Sequence, residues 1–379
     1  MIKSISFSFN STEEISSILE MNLLNIDFNP TLAFCFISVD LPLEIIMEAF
    51  DRRKIKLFGA SSCGELLFND DQQVISDKAG VITITNIPTD NFQIISKNRG
   101  DLDSKQFGKL LGDEINKCNF QSSAILAASG LTIDGQAIVE GIIENNNENL
   151  TMFGGLAGDD SKFEETYVFT EKEILTDGSL MLLLDKKKIK VSGIASSGWI
   201  GLGADLKVTK SSGNIVYTID NEPALDVYKS YLNVTDEEMP AIGVEFPLMI
   251  KRDNEETALR AVIGIDREKR SLIFAGSVPQ DSMVTFSSSP GFEVVKTTTS
   301  KLTEFYEKDP HADMFILFSC MARHLALGPM VSQEIKFAAD KWKAPVVGFF
   351  TYGEIGMNYS NTCDFFNQTY TLVKLTTKN

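Results

Sequence analysis

One sequence pattern recurs along the chain and limits the folds that it can adopt. In its clearest copy an apolar run at residues 315–318 is followed by a helical stretch and by a second apolar run at residues 345–350. Short apolar runs bounded by polar residues are typical of strands, and apolar side chains at helical spacing between them indicate a crossover helix. The order strand, helix, strand predicts two parallel strands whose ends lie side by side.

The same pattern appears near the start of the chain and, more loosely, in its middle. In the first copy Gly59, Gly64 and Glu65 stand at the spacing that Gly348, Gly353 and Glu354 have in the last copy. The middle copy spans residues 123–160 and also ends in a glycine followed by an acid. The 379 residues therefore predict an α/β fold with mixed sheets flanked by helices, internally repeated strand–helix–strand units and two domains.

The balance of charges argues against two classes of partner. The chain carries a net charge of −17, which repels a phosphate backbone, so no nucleic acid is expected to bind. No uncharged apolar run approaches the ~20 residues that span a bilayer, so no membrane insertion is expected. Lys3, Glu13 and Glu14 stand where a signal peptide would need its apolar core. We expect a cytoplasmic protein.

Cysteine and histidine usage argues against several common sites. The five cysteines are scattered and never spaced as CxxC, so neither a disulfide framework nor a zinc site is expected. His311 and His324 are the two histidines of the chain. Two histidines argue against a catalytic triad with histidine and against a metal centre with several histidines.

Polar residues follow both apolar runs of the last copy, where parallel strand ends form a crevice that often binds ligands. An arginine and a glutamate in one crevice can hold the carboxylate and the ammonium group of an amino acid. The predicted ligand-binding residues are Arg323, Glu354, Ser319, Cys320, Thr351, Tyr352 and Gly353. The alternative is a plain ion pair between Arg323 and Glu354 within the fold.

Three further acids follow the strands of the other copies and form a second tier of ligand-binding candidates: Glu65, Asp159 and Asp160. Residues 154–160 lack the lysine and the serine or threonine of a phosphate-binding loop, and their two acids would repel phosphate. Asp159 and Asp160 are expected to bind a cation or to cap a helix instead. Glu65 has an alternative as a strand-end residue that caps a neighbouring backbone group after a glycine with positive φ.

Two other classes of function stay open at this point. A hydrolase would use Cys320 as a nucleophile or the pair Asp159 and Asp160, although a cysteine at an apolar strand end is usually part of the core. A purely structural interaction module would bind no small ligand at all.

Five segments, taken together and in this order, resemble the FIST family. They are GASSCGE at residues 59–65, GGLAGDD at 154–160, NEPALDVY at 221–228, FSCMAR at 318–323 and GFFTYGEIG at 348–356. The resemblance implies a FIST N-terminal domain at residues 1–220 and a FIST C-terminal domain at residues 221–379. Residues 198–213, rich in glycine, serine and charge, are expected to be loop or edge structure ahead of that boundary.

The resemblance also implies a function. FIST proteins are regarded as sensory modules that bind small ligands such as amino acids and regulate a partner such as a histidine kinase or a diguanylate cyclase. Some stand-alone members are similar to nitric-oxide-sensing haem proteins, in which case His324 would be the axial ligand; no other cofactor is implied. If Arg323 and His324 both lay on a strand, they would face opposite sides, so the two ligands would partly exclude each other.

Overall fold

Three units with one order of strands and helices make up most of the chain. The computed structural model describes residues 1–24, 26–146, 150–252, 257–358 and 361–378, apart from the side chains of residues 240 and 241. Each unit has the order strand, helix, strand, helix, strand and then three more strands. The third unit differs by a long insertion after its first strand and by having two helices in its second helical segment.

The elements follow one another in chain order. The first unit contains β1 (Ser4–Phe9), α1 (Ile15–Leu24), β2 (Leu32–Ile37), α2 (Glu44–Arg53), β3 (Lys56–Ser61), β4 (Glu65–Phe68), β5 (Gln73–Ser76) and β6 (Gly80–Thr85). The second contains β7 (Phe92–Asn98), α3 (Ser104–Asn116), β8 (Ser122–Ala128), α4 (Gly135–Asn145), β9 (Met152–Leu156), β10 (Val168–Phe169), β11 (Ile174–Leu175) and β12 (Gly178–Asp185).

The third unit begins with β13 (Ile189–Ser196) and is then interrupted. The insertion contains β14 (Ile200–Ser212), β15 (Ile215–Ile219), β16 (Glu222–Pro223), α5 (Ala224–Leu232), α6 (Met239–Glu245), β17 (Leu248–Lys251), β18 (Thr257–Arg260), β19 (Val262–Asp266), β20 (Ser271–Phe274) and β21 (Met283–Ser288). The unit resumes with α7 (Phe292–Lys308), β22 (Met314–Cys320), α8 (Met321–Leu327), α9 (Val331–Trp342), β23 (Val346–Thr351), β24 (Glu354–Met357), β25 (Cys363–Phe366) and β26 (Tyr370–Thr377).

The three units exchange strands in a cycle. Their sheets have the orders β1-β6-β2-β3-β10-β11, β7-β12-β8-β9-β24-β25 and β13-β26-β22-β23-β4-β5. The second unit therefore adds its hairpin to the first sheet, the third unit to the second sheet, and the first unit to the third sheet. At the centre of each sheet lies a parallel pair, β2-β3, β8-β9 or β22-β23, as the repeated pattern predicts.

A shared hydrophobic core lies between the three sheets. It contains buried side chains from each of them, among them Phe36, Phe153 and Phe349. The outer faces are covered by helices: α1 and α2 on the first sheet, α3 and α4 on the second, α7 and α9 on the third. Because the central strands are buried on both faces, they read as continuous apolar runs in the sequence. The predicted α/β class with mixed sheets flanked by helices is confirmed.

A glycine stands in the third strand of every unit because no side chain fits there. A Cβ atom at Gly154 or at Gly348 would lie 2.0 Å from a backbone oxygen of the neighbouring parallel strand. At Gly59 the ring of Phe169 would lie 2.4 Å from it. Heavy atoms cannot approach so closely, so the parallel neighbour requires glycine at residues 154 and 348, and a side chain of the antiparallel strand β10 requires it at residue 59.

The insertion forms a fourth sheet, with α5 and α6 packed against it. The expectation of loop or edge structure at residues 198–213 is wrong, since most of them form β14, which pairs with both β15 and β21. Most side chains of β14 are exposed or half-buried, so the segment lacks the apolar signal by which strands are recognised. No helix in the described part of the chain is both long and apolar enough to cross a membrane.

Candidate functional site

The carboxyl ends of the three parallel pairs meet at one place. Three backbone hydrogen bonds join them in a cycle: Cys63 N–H to Phe350 O (2.9 Å), Tyr352 N–H to Leu156 O (3.1 Å) and Gly158 N–H to Ser61 O (3.0 Å). Within the last pair Cys320 lies beside Thr351, which confirms that the strand ends predicted to be neighbours are neighbours. Open α/β sheets usually bind ligands at such strand ends.

A cavity of about 550 Å³ lies between these strand ends and the inserted sheet. The second unit lines it with residues 130–134, Leu156 and Phe163; the insertion with Ala261, Ile263 and residues 274–276; the third unit with residues 320–322, Thr351, Tyr352 and Asn367. Its volume is that of an ordinary small-molecule site. Three of the predicted ligand-binding residues, Cys320, Thr351 and Tyr352, therefore line one cavity.

Arg323 does not line that cavity. It lies in α8, fully buried, and pairs with Glu334 of α9, with Nε 3.1 Å from Oε2 and Nη2 2.5 Å from Oε1. Its remaining donors reach the carbonyl oxygens of Ser197 and Gln368 and the hydroxyl of Thr298. All five N–H groups of the guanidinium are thus used within the fold.

Glu354 is also buried outside the cavity, and Glu65 repeats its environment. Glu354 accepts hydrogen bonds from the Thr351 hydroxyl (2.5 Å) and the Thr369 amide (3.2 Å), and Glu65 accepts from the Ser62 hydroxyl and the Ala79 amide (2.9 Å). Burial raises the pKa of Glu65 to about 8 and that of Glu354 well above its ordinary value. In both copies the glutamate therefore links the first strand of an exchanged hairpin to the unit from which that hairpin comes.

Asp159 and Asp160 accept hydrogen bonds from groups within the fold. Asp159 is buried and accepts hydrogen bonds from the Tyr352 hydroxyl and from the backbone amides of residues 163–165. Asp160 accepts one from the Ser38 hydroxyl at 2.7 Å, and burial raises its pKa. Tyr352 stacks on Phe163 with the ring centres 5.1 Å apart. Asp159 thus caps an irregular turn rather than a helix and fixes one wall of the cavity.

Ser319 and Gly353 are next to lining residues in the sequence, but neither of them lines the cavity. Ser319 is fully buried in β22. A Cβ atom at Gly353 would lie 2.3 Å from the ring of Phe365, so a side chain has no room there. Both positions shape the wall from behind.

His324 lies outside the cavity and follows Arg323 in a helix. The strand geometry on which the opposite-face expectation depends is therefore absent, because α8 begins at Met321. The His324 ring stacks on Phe350 with centres 4.0 Å apart, and burial lowers the pKa of this imidazole. His324 is not among the described residues that line the cavity, so the structure does not place it as the axial ligand of a haem bound there.

Cys320 lines the cavity at the junction of β22 and α8. Burial raises the pKa of its thiol, which leaves little of the nucleophilic thiolate at neutral pH. No histidine is among the described residues that line the cavity, and burial raises the pKa of the Glu354 carboxyl group beside this sulfur well above its ordinary value, which makes it a poor general base at neutral pH. These observations do not support Cys320 as a catalytic nucleophile.

Asn367 is a polar lining residue that the sequence patterns did not single out. It is 2% exposed, and neither its Nδ2 nor its Oδ1 has a hydrogen-bond partner among the described residues. In the sequence it belongs to a short polar run, Asn-Gln-Thr, between two apolar stretches, which indicates only a turn. Its unpaired amide depends on the folded surroundings and leaves no sequence signal.

Arg323 and Glu354, which were predicted to bind the ligand, instead contact this turn from outside the cavity. Arg323 donates to the carbonyl oxygen of Gln368 at 3.2 Å, and Glu354 accepts from the amide of Thr369 at 3.2 Å. Gln368 has a φ of 56°, in the left-handed region, so the turn needs such outside support. Arg323 and Glu354 are positioning residues for the wall that carries Asn367.

Asp134 is the one acidic side chain among the described residues of the lining. It caps the N-terminus of α4, and its side chain accepts hydrogen bonds from the amides of Gln136 (2.9 Å) and Ala137 (3.0 Å) and from the hydroxyl of Ser277 (3.1 Å). Beside it the buried Arg260 donates to the side-chain oxygen of Gln136 at 2.8 Å. These contacts fasten the inserted sheet to the second unit at the edge of the cavity.

Comparison with known families gives two matches. The family model of the FIST N domain matches residues 31–222, and that of the FIST C domain matches residues 224–357. No curated protein matches the chain. The predicted boundary between residues 220 and 221 stays a prediction, and the exchanged strands cross it. Since the two models cover most of its length in this order, the chain belongs to the FIST family, whose domains are small-ligand sensory domains of signalling proteins.

Proposed function

We propose that this protein binds a small ligand in the cavity between the strand ends and the inserted sheet, and passes its bound state to a separate signalling partner. The observation that carries the proposal is the position of the cavity, which has walls from the second unit, the third unit and the insertion. A ligand there contacts all three at once. It therefore stabilises one arrangement of the insertion relative to the units over others.

The connections of the insertion are suited to such a change. Both contain a glycine with positive φ, Gly198 at 90° and Gly291 at 65°. Beside the first connection the carbonyl oxygen of Ser197 accepts a hydrogen bond from Arg323, which also holds the turn behind the cavity. A change at the cavity wall is thereby linked to the attachment of the insertion through one buried side chain.

The lining favours a small polar ligand with an apolar part. Apolar side chains such as Leu156, Ile263 and Phe274 make up much of the wall, and Asp134 is the only acidic residue among its described residues. An amino acid would be held through its ammonium group near Asp134 rather than through an arginine at its carboxylate. Burial of the apolar part supplies affinity, and the polar groups supply orientation.

The proposed partner is a histidine kinase or a diguanylate cyclase in the cytoplasm, and the protein has no catalysis of its own. The net charge of −17 favours a basic or mixed protein surface over DNA. The nitric-oxide-sensing alternative is not proposed, because His324, its expected axial ligand, is not among the described residues that line this cavity. A hydrolase is not proposed either, because Asp159 is occupied by four hydrogen bonds.

A thermal-shift screen with amino acids and metabolites tests this function. Ala275→Trp fills the cavity from the insertion, and Gln280→Trp places the same side chain at an exposed position of the same segment. We expect a compound that raises the melting temperature of the natural protein and of Gln280→Trp but not of folded Ala275→Trp. Equal responses of both variants, or no response to any compound, would count against the proposal.

A further inference from the structure

We propose that the ligand of this cavity is an uncharged and largely apolar small molecule, and that its binding covers four exposed apolar side chains where the cavity opens. The inference rests on the proposed function, since it names the class of ligand for the same cavity. The four side chains, called here the apolar rim, all line the cavity and belong to Leu131 (39% exposed), Phe163 (51%), Ile263 (45%) and Leu325 (64%). Because they line the cavity and are also exposed, they stand at its opening to solvent.

The apolar rim is assembled from four separate segments of the chain. One side chain comes from the segment before α4, one from the turn held by Asp159, one from β19 of the insertion and one from α8. Exposed apolar residues that stand singly are ordinary, whereas several that converge on one opening mark a binding site. The cavity continues from this rim to Leu156 and Cys320, which are 3% exposed each. A small molecule can therefore cover the rim and fill the interior together.

The lining offers no partner for a negatively charged ligand. No lysine, arginine or histidine is among the described residues that line the cavity. A carboxylate or a phosphate group would lose water there without gaining a positively charged partner, which costs free energy. The lining therefore disfavours anions.

The negative charge of Asp134 is already balanced within the fold. Its carboxylate accepts hydrogen bonds from two amides at the start of α4 and from the Ser277 hydroxyl. The N-terminus of a helix stabilises a negative charge, and the buried guanidinium of Arg260 lies nearby, bonded to Gln136 at 2.8 Å. Asp134 can therefore accept a hydrogen bond from a ligand hydroxyl, but it does not require a cation.

Several other polar groups of the lining are bonded within the fold or buried. The Asn214 side chain donates to the carbonyl oxygen of Phe274 at 2.9 Å, and the Tyr352 hydroxyl donates to Asp159. The polar side-chain atoms of Asn367 are buried. The favourable free energy of binding then comes chiefly from apolar surface that leaves water, and this contribution needs no charge on the ligand.

Four compounds of similar size and different charge test the class of ligand: 2-phenylethanol, phenethylamine, phenylacetate and phenylalanine. Calorimetry with the natural protein is expected to give 2-phenylethanol a Kd at least about tenfold below those of the three charged compounds, a difference of about 1.4 kcal/mol. Its binding should have a negative heat-capacity change, because apolar surface is buried.

Methyl resonances show where the compound binds. In protein labelled at the methyl groups of isoleucine and leucine, the aromatic ring of 2-phenylethanol should shift the resonances of Leu131, Ile263 and Leu325. Ile174 is 39% exposed and is not among the residues that line the cavity, so its resonance should not move.

Ile263→Ser and Ile174→Ser form a matched pair, since each removes an exposed isoleucine from a strand. Ile263→Ser should raise the Kd of 2-phenylethanol at least about threefold, because it removes apolar surface from the rim. Ile174→Ser should leave that Kd within about 1.5-fold of the natural value. The methyl spectrum of each variant shows whether it is folded, and the resonance shifts of the natural protein test the inference without either variant.

Three results would overturn the inference. The first is tighter binding of a charged compound than of 2-phenylethanol, which would leave the cavity as a ligand site of another class. The second is no binding of 2-phenylethanol at its solubility limit, or equal effects of the two serine variants. The third is a natural protein that sediments as a dimer while Ile263→Ser sediments as a monomer, because a second copy would then cover the rim. The metabolite screen with Ala275→Trp judges the proposed function separately.

Discussion

Arg323 and Glu334 form an ion pair that has no exposed side-chain surface in the interior of the third unit. Removing one partner leaves the other charge buried and unpaired, which costs about 3–5 kcal/mol. We therefore predict that Arg323→Met lowers the free energy of unfolding by about that amount, measured by urea denaturation.

Two controls accompany this prediction. Arg323→Met combined with Glu334→Leu removes both charges and should recover part of the loss, because the carbonyl oxygens of Ser197 and Gln368 still lack their donor. Lys336→Met breaks the exposed pair of Lys336 and Asp340 and should change stability by less than about 0.5 kcal/mol. A single variant Arg323→Met as stable as the natural protein would contradict the structural role assigned to this arginine.

Glu65 makes stability depend on pH in a defined direction. Its pKa in the fold is about 8, because burial disfavours the charged form, whereas an unfolded glutamate has a pKa of about 4.3. Between these values the folded chain holds a proton that the unfolded chain has released. The free energy of unfolding therefore falls as pH rises through this window, by about 1.4 kcal/mol per pH unit for this group.

Glu65→Gln removes that contribution while keeping the shape of the side chain. We predict that the unfolding free energy of the variant falls less steeply than that of the natural protein between about pH 5 and pH 8. Chemical denaturation at a series of pH values measures both slopes. Identical slopes would mean that Glu65 is already ionised in the fold.

At the scale of residues the sequence predicts the region in which the charged side chains lie, but it does not predict which of them form ion pairs. Arg323 and Glu354 do lie near the predicted crevice, yet the carboxylate that pairs with Arg323 belongs to Glu334, on the helix between the two strands. That choice depends on how α8 and α9 pack, which spacing alone does not determine. The environment of Asn367 is harder still to predict, because whether its side-chain amide has a hydrogen-bond partner depends on the folded surroundings.

At the scale of elements the parallel pairs demand glycine at fixed positions. Gly348→Ala would place a Cβ atom 2.0 Å from a backbone oxygen in β22, so the strands must move apart. We predict a loss of at least about 2 kcal/mol in unfolding free energy.

The inserted sheet offers a matched control for that prediction. At Gly201, also in a strand, the nearest atom would be 3.5 Å from an added Cβ, an ordinary contact. Gly201→Ala should stay within about 0.5 kcal/mol of the natural protein in the same denaturation measurement. Equal effects of the two substitutions would show that close approach of the parallel strands is not what requires Gly348.

The repeated glycine and the apolar runs are what made the strand–helix–strand units predictable. The exchange of hairpins was not predictable, because a strand that follows Gly64 or Gly353 satisfies its hydrogen bonds equally well on its own sheet or on the next. The insertion was also missed, since β14 is largely exposed and carries no alternating apolar pattern.

At the scale of the whole molecule, strands from each of the two family segments complete a sheet that belongs mainly to the other segment. Hairpin β4-β5 and strand β13, from residues before 222, complete the sheet of the third unit, and hairpin β24-β25 completes the sheet of the second. The cavity therefore lies where both segments and the insertion meet. A ligand at this junction is placed to report on the arrangement of the entire protein.

Hydrogen–deuterium exchange tests that central claim most directly, using the compound that gives the largest thermal shift. If the ligand occupies the cavity, amide exchange should slow together at residues 130–134 of the second unit and 274–276 of the insertion, both of which line it. Exchange in the exposed turn at residues 266–270 should not change. Slower exchange on one side alone, or only at a distance from the cavity, would contradict the account.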